Sequence, residues 1–430
     1  MVLSVRKLRS IAAGLTVGAC TLMAQSGTML KKYTLADTPI APFQNSVLPN
    51  TVLDDKGFLL GSIGSGLFRS FLEGNDVYWM VTDRGPNPFN SANQRMFPIA
   101  NWTPWLLKVK TTGDSIQILD KVPITLPDGQ PATGLPNNSR DELVRQCDGT
   151  SLPYNPNGLD TEDLVRTLDG NFWLVDEHSP SIIKVLPNGK VSKRFLPAGL
   201  TLDGIGYPVS NNLPQIFGDK RKQNRGFEGV TLGWDLRTIY AALQSPLVNP
   251  TAAIGNASRN TRIISMDAYT EQVKAEYVYR FQPVTEFGLT NPTEMKISAI
   301  AALDPWRMLV LERTDGVAKI YRVDLTKATN ILGSQWDSVA TTPSLEALNN
   351  DGDLLANGVK ELPKELMIDL STIPGMPAKI EGLTILDWNT IAISNDNDFD
   401  VAAAGTCGPN VPGQTKNHIM IIRLDRNLYF

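Results

Sequence analysis

Thr161-Glu162-Asp163-Leu164-Val165-Arg166-Thr167-Leu168-Asp169-Gly170-Asn171-Phe172-Trp173-Leu174-Val175-Asp176-Glu177 reads as two short apolar strands folded about Asp169-Gly170. Asp-Gly is a strong two-residue turn signal, because a type I′ turn needs positive φ at both positions. Pairing outward from Leu168 opposite Asn171 sets Val165 against Leu174 and Glu162 against Glu177. The same shape recurs. Glu228-Gly229-Val230 returns at Leu243-Gln244, and Glu381-Gly382-Leu383, folded at Trp388-Asn389, returns at Ser394-Asn395-Asp396 with Glu381 opposite Asp396. Ile297-Ser298-Ala299-Ile300 to Leu311-Glu312-Arg313 is a copy that opens on Ser. Ile63-Gly64-Ser65-Gly66-Leu67 to Val81-Thr82-Asp83-Arg84 is a fifth, with a longer hairpin. A repeated supersecondary unit signals a repeat architecture. Here the unit is a β-hairpin, so the fold class is all-β: a single β-propeller of five readable four-stranded blades, or six.

In a propeller these hairpin ends share one face around one channel. Like charges directly opposite on a hairpin are unfavourable, so something positive is expected among them: a metal ion, or Arg84, Arg225 and Arg313.

The totals fit. Of 430 residues 42% are hydrophobic and 20% charged, ample for a core and too apolar for disorder. Arg6, Lys7 and Arg9, then the nearly uncharged Ile11 to Ala19, then small residues, read as a secretory leader over 1–26. Its apolar run is too short to span a bilayer. Two processing sites compete: Ala24-Gln25-Ser26 resembles a signal-peptidase site, and Val17-Gly18-Ala19-Cys20 resembles a lipobox that would leave Cys20 lipidated. Loss of the leader's three basic residues moves the net charge from −4 to −7. The expected product is periplasmic or extracellular, or a membrane-anchored lipoprotein, with no transmembrane segment. An acidic chain argues against nucleic acid binding. Cys147 and Cys407 lie in polar loops, and export permits their oxidation, so a disulfide between them is expected.

Residues 27–430 read as one domain. Leu30 to Ile40 is the expected outer strand that closes the ring against the last blade. The blades are read at 63–70, 76–82, 103–110 and 115–123; at 162–168, 171–176, 181–186 and 190–196; at 228–233, 238–243, 260–267 and 273–281; at 297–303, 307–312 and 317–324; and at 380–386, 389–394 and 417–424. Long loops intervene at 127–156, 197–226 and 395–416. The stretch 326–378 holds either a degenerate sixth blade or a surface excursion.

Asn224-Arg225-Gly226-Phe227-Glu228-Gly229, Tyr240-Ala241-Ala242-Leu243-Gln244-Ser245-Pro246-Leu247, Lys379-Ile380-Glu381-Gly382-Leu383 and Ser394-Asn395-Asp396-Asn397-Asp398-Phe399 stand out together. With Phe172-Trp173-Leu174-Val175-Asp176-Glu177 and Thr82-Asp83-Arg84-Gly85-Pro86, they resemble the phytase-like family ("esterase-like activity of phytase") over about residues 57–424. The resemblance implies a propeller and, by analogy to calcium-dependent propeller phytases, phosphoester hydrolysis. The chain departs from the family pattern at Asp163, where Gly usually follows Glu, and at His178, where an aromatic is common.

The expected chemistry follows from the acidic rim. Asp83, Asp176, Glu228, Glu312, Glu381, Asn395, Asp396 and Asp398 offer the hard oxygens that suit Ca²⁺. Arg84, Arg225, Arg313 and His178 are the candidate phosphate and substrate contacts. Glu162, Glu177, Arg225, Glu228, Arg313 and Glu381 are the candidate catalytic set, with a metal-activated water attacking a small phosphorylated substrate. The bland alternative is a structural ring of ion pairs stapling the blades, in a non-catalytic envelope propeller that binds a ligand or protein partner. A carboxylesterase is the third reading, and the sequence offers no G-x-S-x-G elbow for it. Two histidines and no Cys pair disfavour zinc. Trp79, Trp173, Trp234, Trp306 and Trp388 recur at hairpins and are expected to pack between blades.

Overall fold

Leu174 and Val175 are adjacent and both fully buried. Successive strand residues point to opposite faces, so their sheet must be covered on both sides. A ring of small sheets meets that demand. The structure, a computed structural model, describes residues 26–410 and 415–430; the leader's two processing sites, apart from Ser26, lie outside the described residues.

Apart from a two-stranded pairing of Arg95–Met96 with Val144–Arg145, the strands form five groups. The second group is Thr161–Arg166, Phe172–Asp176, Ser181–Val185 and Val191–Pro197, with Val209–Leu213 added in parallel at its outer edge. The third is Phe227–Leu232, Thr238–Leu243, Asn260–Asp267 and Val273–Arg280, and the fourth is Lys296–Ala302, Arg307–Arg313, Ala318–Asp324 and Lys364–Asp369. Ile380–Ile385, Thr390–Asn395 and His418–Leu424 make the fifth, which Gly27–Leu35 completes by antiparallel pairing with His418–Leu424. The first group is Val77–Val81, Trp105–Thr112 and Ser115–Pro123. Its expected inner strand at 63–70 is reduced to one bridge, Phe68 to Trp79. Gly27–Leu35 also pairs in parallel with Ser115–Pro123 over two residues, which joins the first and last groups into one sheet.

One apolar cluster fills each gap between neighbouring groups. Val81 and Leu106 meet Leu174 and Ile183; Val175 and Ile182 meet Ile239 and Ile264; Ile263 and Tyr279 meet Ile297 and Val310. Leu309 and Ile320 meet Ile391 and Ile422, and Ala392 and Ile419 meet Met80 and Leu107, which brings the contacts back to the first group. The inner strands touch directly as well. Thr161 Oγ1 donates to Thr82 O at 2.7 Å, Val230 N to Asp163 Oδ2 at 2.9 Å, Ala302 N to Thr231 Oγ1 at 2.9 Å, and Ser394 Oγ to Gly64 O at 2.8 Å. Gly229 has to be glycine here, since a Cβ would lie 3.0 Å from Ala299 Cα of the next inner strand. The molecule is a β-propeller.

Three expectations are corrected. The stretch 326–378 carries no sheet of its own among the described residues; it runs through short 3-10 turns and supplies Lys364–Asp369, the outer strand of the fourth group. The closing strand is Gly27–Leu35, not Leu30 to Ile40, because Ile40–Asn45 turns into a helix that buries Ile40 and Phe43. Trp79 and Trp173 pack between sheets as expected, but Trp234, Trp306 and Trp388 face water at their turns. The Cys147–Cys407 disulfide is present and ties the 127–156 loop to the 395–416 loop across 260 residues.

Candidate functional site

The inner hairpins of the second to fifth groups break register near their start. The pairing shifts between Thr161 and Leu164, Phe227 and Gly229, Ile297 and Ala299, and Ile380 and Gly382. A β-bulge leaves its extra residue unpaired and re-aims the side chain. The bulged residues are Glu162 with Asp163, Glu228, Ser298 and Glu381. Glu162, Glu228 and Glu381 thereby turn into one polar cavity of about 300 Å³ at the channel mouth, where Ser65 represents the first group. The expected cross-strand pairs Glu162–Glu177 and Glu381–Asp396 do not form: Thr161 faces Asp176, and Ile380 faces Asn395.

A second tier comes from the residue where each second strand ends. Asp83 N donates to Ser62 O, Glu177 N to Asp160 O, Gln244 N to Gly226 O and Asp396 N to Lys379 O, all at 2.9–3.0 Å. These bonds fix Asp83, Glu177, Gln244 and Asp396 around the mouth, and Arg313 holds the same place in the fourth group. In that group the bulge carries Ser298, whose short side chain leaves room for a guanidinium. Arg313 fills it, donating to Ser298 Oγ at 2.7 Å, to Asp315 at 3.0 Å and to Glu381.

Nine carboxylates and six cations line the cavity. One oxygen from each of Asp83, Asp160 and Glu162 lies within 4.8 Å of the others. Burial, and then the neighbouring carboxylates, push Asp83 and Glu162 well above the usual carboxylate range. Burial pushes Asp160 up to about 8 despite the Arg84 guanidinium 3.1 Å away. Both oxygens of Asp160 are buried without a hydrogen bond. A crowd of hard, under-satisfied oxygens is what a divalent cation of the Ca²⁺ type takes, and the donor set fits one. Glu228 is pushed up to about 7, by burial and then by Glu381, and accepts from Gln244.

Lys296, Arg313 and Lys379, from the fourth and fifth groups, and Arg225, which precedes the third, bring positive charge to the same cavity. Lys296 pairs with Asp315 at 2.9 Å, Arg225 reaches Ser245 Oγ at 3.3 Å, and Lys379 pairs with Asp398. Against the effect of burial, Lys379 holds Asp398 below its ordinary value. Arg84 is committed elsewhere. It is buried and bonds Glu142 at 2.6 Å, His178 Nε2 at 2.8 Å and Asn224 at 2.9 Å.

Four residues expected at the mouth lie outside the cavity. His178 is buried behind Arg84, and burial with Arg84, Arg221 and Arg194 nearby holds it far below the usual imidazole range. It is neither a surface histidine nor a proton donor at neutral pH. Glu312 points away because its neighbour Arg313 points in; it accepts from Tyr279 Oη at 2.6 Å and pairs with Lys364 at 2.7 Å. Asp176 sits in a second layer against Arg194 at 3.2 Å and accepts from Asp160 N at 3.1 Å. Asn395 spends its side chain on Lys416 O and His418 N. The cavity-lining residues that sequence reasoning passed over are Asp160, Arg95, Lys296, Asp315 and Lys379. Asp160 had a signal: it stands two residues before Glu162, the spacing that returns a strand residue to the same face.

The profile of the phytase-like family, described as "Esterase-like activity of phytase", matches residues 65–399. An uncharacterized secreted protein of Arthroderma benhamiae is 24% identical over 354 residues, covering 71% of this chain and 68% of that protein. Pseudomonas fluorescens PhoX, solved with vanadate, aligns with 93% of this chain and 95% of its own at 10% identity and TM-score 0.37. The PQQ-bound aldose sugar dehydrogenase of Streptomyces coelicolor aligns with 93% of this chain and 98% of its own at 9% identity and TM-score 0.34. Both scores are too low to carry an argument about the site. No helix among the described residues is long and apolar enough to cross a membrane. The match to the family profile spans most of the chain and both tiers of the mouth, and the chain belongs to the phytase-like family.

Proposed function

We propose that the channel mouth hydrolyses a phosphate monoester with the help of a divalent cation, calcium by its donor chemistry. The observation that carries this reading is the buried carboxylate of Asp160, crowded by Asp83 and Glu162 and with Oδ1 unpartnered while Oδ2 faces Arg84 at 3.1 Å, in the same cavity as Arg225, Lys296 and Arg313. Asp83, Asp160 and Glu162 would hold the cation. Bound there, it supplies charge neutralisation for the carboxylates and Lewis acidity toward a phosphoryl oxygen. Arg225, Lys296 and Arg313 take the remaining phosphoryl oxygens, and the bidentate fork of arginine suits that geometry. Arg84 positions Asp160 and Glu142 through Nη1, and its Nη2, which reaches only Asn87 at 3.5 Å, stays on the cavity wall. Glu228, poised near neutrality, can pass a proton to the leaving alcohol oxygen as water displaces it from phosphorus. The volume admits one phosphoryl group and a small alcohol.

The third reading, a carboxylesterase, lacks its base. Ser65 lines the mouth, but neither histidine does. The test is release of phosphate from p-nitrophenyl phosphate against release of acetate from p-nitrophenyl acetate, with EDTA and with added Ca²⁺. Phosphate release that EDTA abolishes and Ca²⁺ restores is expected. Chelator-insensitive activity, or none on a panel of phosphomonoesters, overturns the reading.

A further inference from the structure

The opposite end of the channel plays no part in that chemistry. It opens, between the C-terminal ends of the inner strands, into an apolar cavity of about 550 Å³ walled by Leu67, Val165, Val230, Ile300 and Leu383. Around its rim every inner hairpin carries a large apolar side chain into water: Phe71, Leu168, Trp234, Trp306 and Trp388, each about half to two-thirds exposed. The chain's other five tryptophans, Trp79, Trp102, Trp105, Trp173 and Trp336, are buried. Single exposed apolar residues are ordinary on a protein surface. One per turn around a common apolar opening is a built face.

The chain leaves the fold at this face. Gly27 pairs with Leu424, and Leu424 N donates to Asn389 O at 2.8 Å in the turn that carries Trp388. The apolar run Ile11 to Ala19 ends seven residues before Ser26, within about 25 Å of extended chain. A chain held by that run, or by a lipid on Cys20, is tethered at the edge of this face. The charges agree with a neutral surface. Asp235, Asp304 and Asp387 spend their carboxylates on N–H groups of their own turns, and Arg307 pairs with Asp304 at 2.6 Å. Among the described residues, the turns that carry these tips hold no cluster of unpaired cations that calls for anionic lipid. Tryptophan's apolar ring and single N–H suit the headgroup boundary.

We propose that this end of the channel docks on a zwitterionic lipid surface, its five tip side chains entering the headgroup boundary and the acidic mouth facing away. The test is tryptophan emission of the full-length protein on phosphatidylcholine vesicles with and without acyl-chain bromine. Bromolipid should lower the emission by up to about three-eighths, the share of three tryptophans in eight, and the loss should vanish in W234S/W306S/W388S. An unchanged thermal transition in that variant, whose three sites are exposed, shows that the fold is kept. A leader that brings the protein to vesicles without the tips touching lipid gives no quenching, and that result overturns the proposal. So does quenching that survives in the triple variant. Stoichiometric uptake of soluble N-phenylnaphthylamine without bromolipid quenching would assign the cavity to a small hydrophobe instead, and dimerisation lost in the triple variant without quenching would assign the face to a second copy.

Discussion

Arg313→Met tests whether the mouth is held by its internal cation. Arg313 is buried, pairs with Glu381, bonds Ser298 and Asp315, and lies 3.9 Å from Glu228. Methionine fills similar space, so the packing change is small and the electrical change dominates. Removing one partner of a buried pair leaves an uncompensated charge and costs about 3–5 kcal/mol. An unfolding entropy of about 2.1 cal/mol/K per residue gives about 0.8 kcal/mol/K for a unit of about 400 residues, so Tm should fall by about 4–6 °C. Adding Glu381→Gln removes the stranded charge and should recover about half of that loss, a coupling of about 2 kcal/mol in the double-mutant cycle. The assay is differential scanning calorimetry of the four proteins in EDTA. A fall of less than about 1 °C in R313M, or no recovery in the double variant, would show that Glu228 and Glu381 are relieved in some other way.

Asp163→Gly should destabilise by about 1–3 kcal/mol in urea denaturation, because the amides of Val230 and Leu164 lose the carboxylate they donate to. Cys147→Ser/Cys407→Ser should lower stability by about 2–5 kcal/mol, the range for removing a native disulfide, with wild type under reductant falling to the same Tm. Glu276 is buried beside Arg262 at 3.0 Å, and burial holds its pKa well above the ordinary value. Its folded state keeps the proton more tightly than the unfolded chain does, so its contribution is full below about pH 4.5 and is lost as pH rises toward the folded value. Wild type should accordingly lose Tm relative to E276Q between pH 4.5 and pH 7; a gap that widens in favour of wild type would refute the assignment.

The hairpins were legible because strands such as Phe172–Asp176 and Thr238–Leu243 are short, β-branched or aromatic, and bounded by turn residues. Their register was not. The Asp169-Gly170 signal stands for a three-residue loop, Leu168 to Gly170, closed by Thr167 N to Asn171 O at 2.9 Å with Gly170 at φ +85°. That one extra residue sets Val165 against Trp173 rather than Leu174. The bulges add a second shift at the mouth, and a bulge has no composition of its own in Glu228-Gly229 or Glu381-Gly382. Lys364–Asp369 escaped notice because about forty residues separate it from the strand it pairs with, so no local pattern announces it. Lys379 stood in the quoted stretch Lys379-Ile380-Glu381 without a role, and Lys296 fell one residue before the stretch Ile297-Ser298-Ala299-Ile300, whereas the mouth also takes the residue that begins or just precedes the inner strand.

The departures from acidic repetition in the fourth group, Ser298 and Arg313, are what give the mouth a direction. Glutamate at all four bulges would make a ring of equivalent carboxylates, able to hold a cation anywhere and a phosphate nowhere. Ser298 makes room for Arg313, and Lys296 and Lys379 lie in the same part of the ring, so three of the six cations stand at the fourth and fifth groups, each against a carboxylate. Asp83, Asp160, Glu162 and Glu177 leave the first and second groups acidic even with Arg84 among them. A dianionic ester bridging a cation on one side and guanidinium and ammonium groups on the other has one favoured orientation across the opening. On the proposed function, Glu228, on the third group between the two, would be the carboxyl group that meets the leaving oxygen, a role its near-neutral pKa suits.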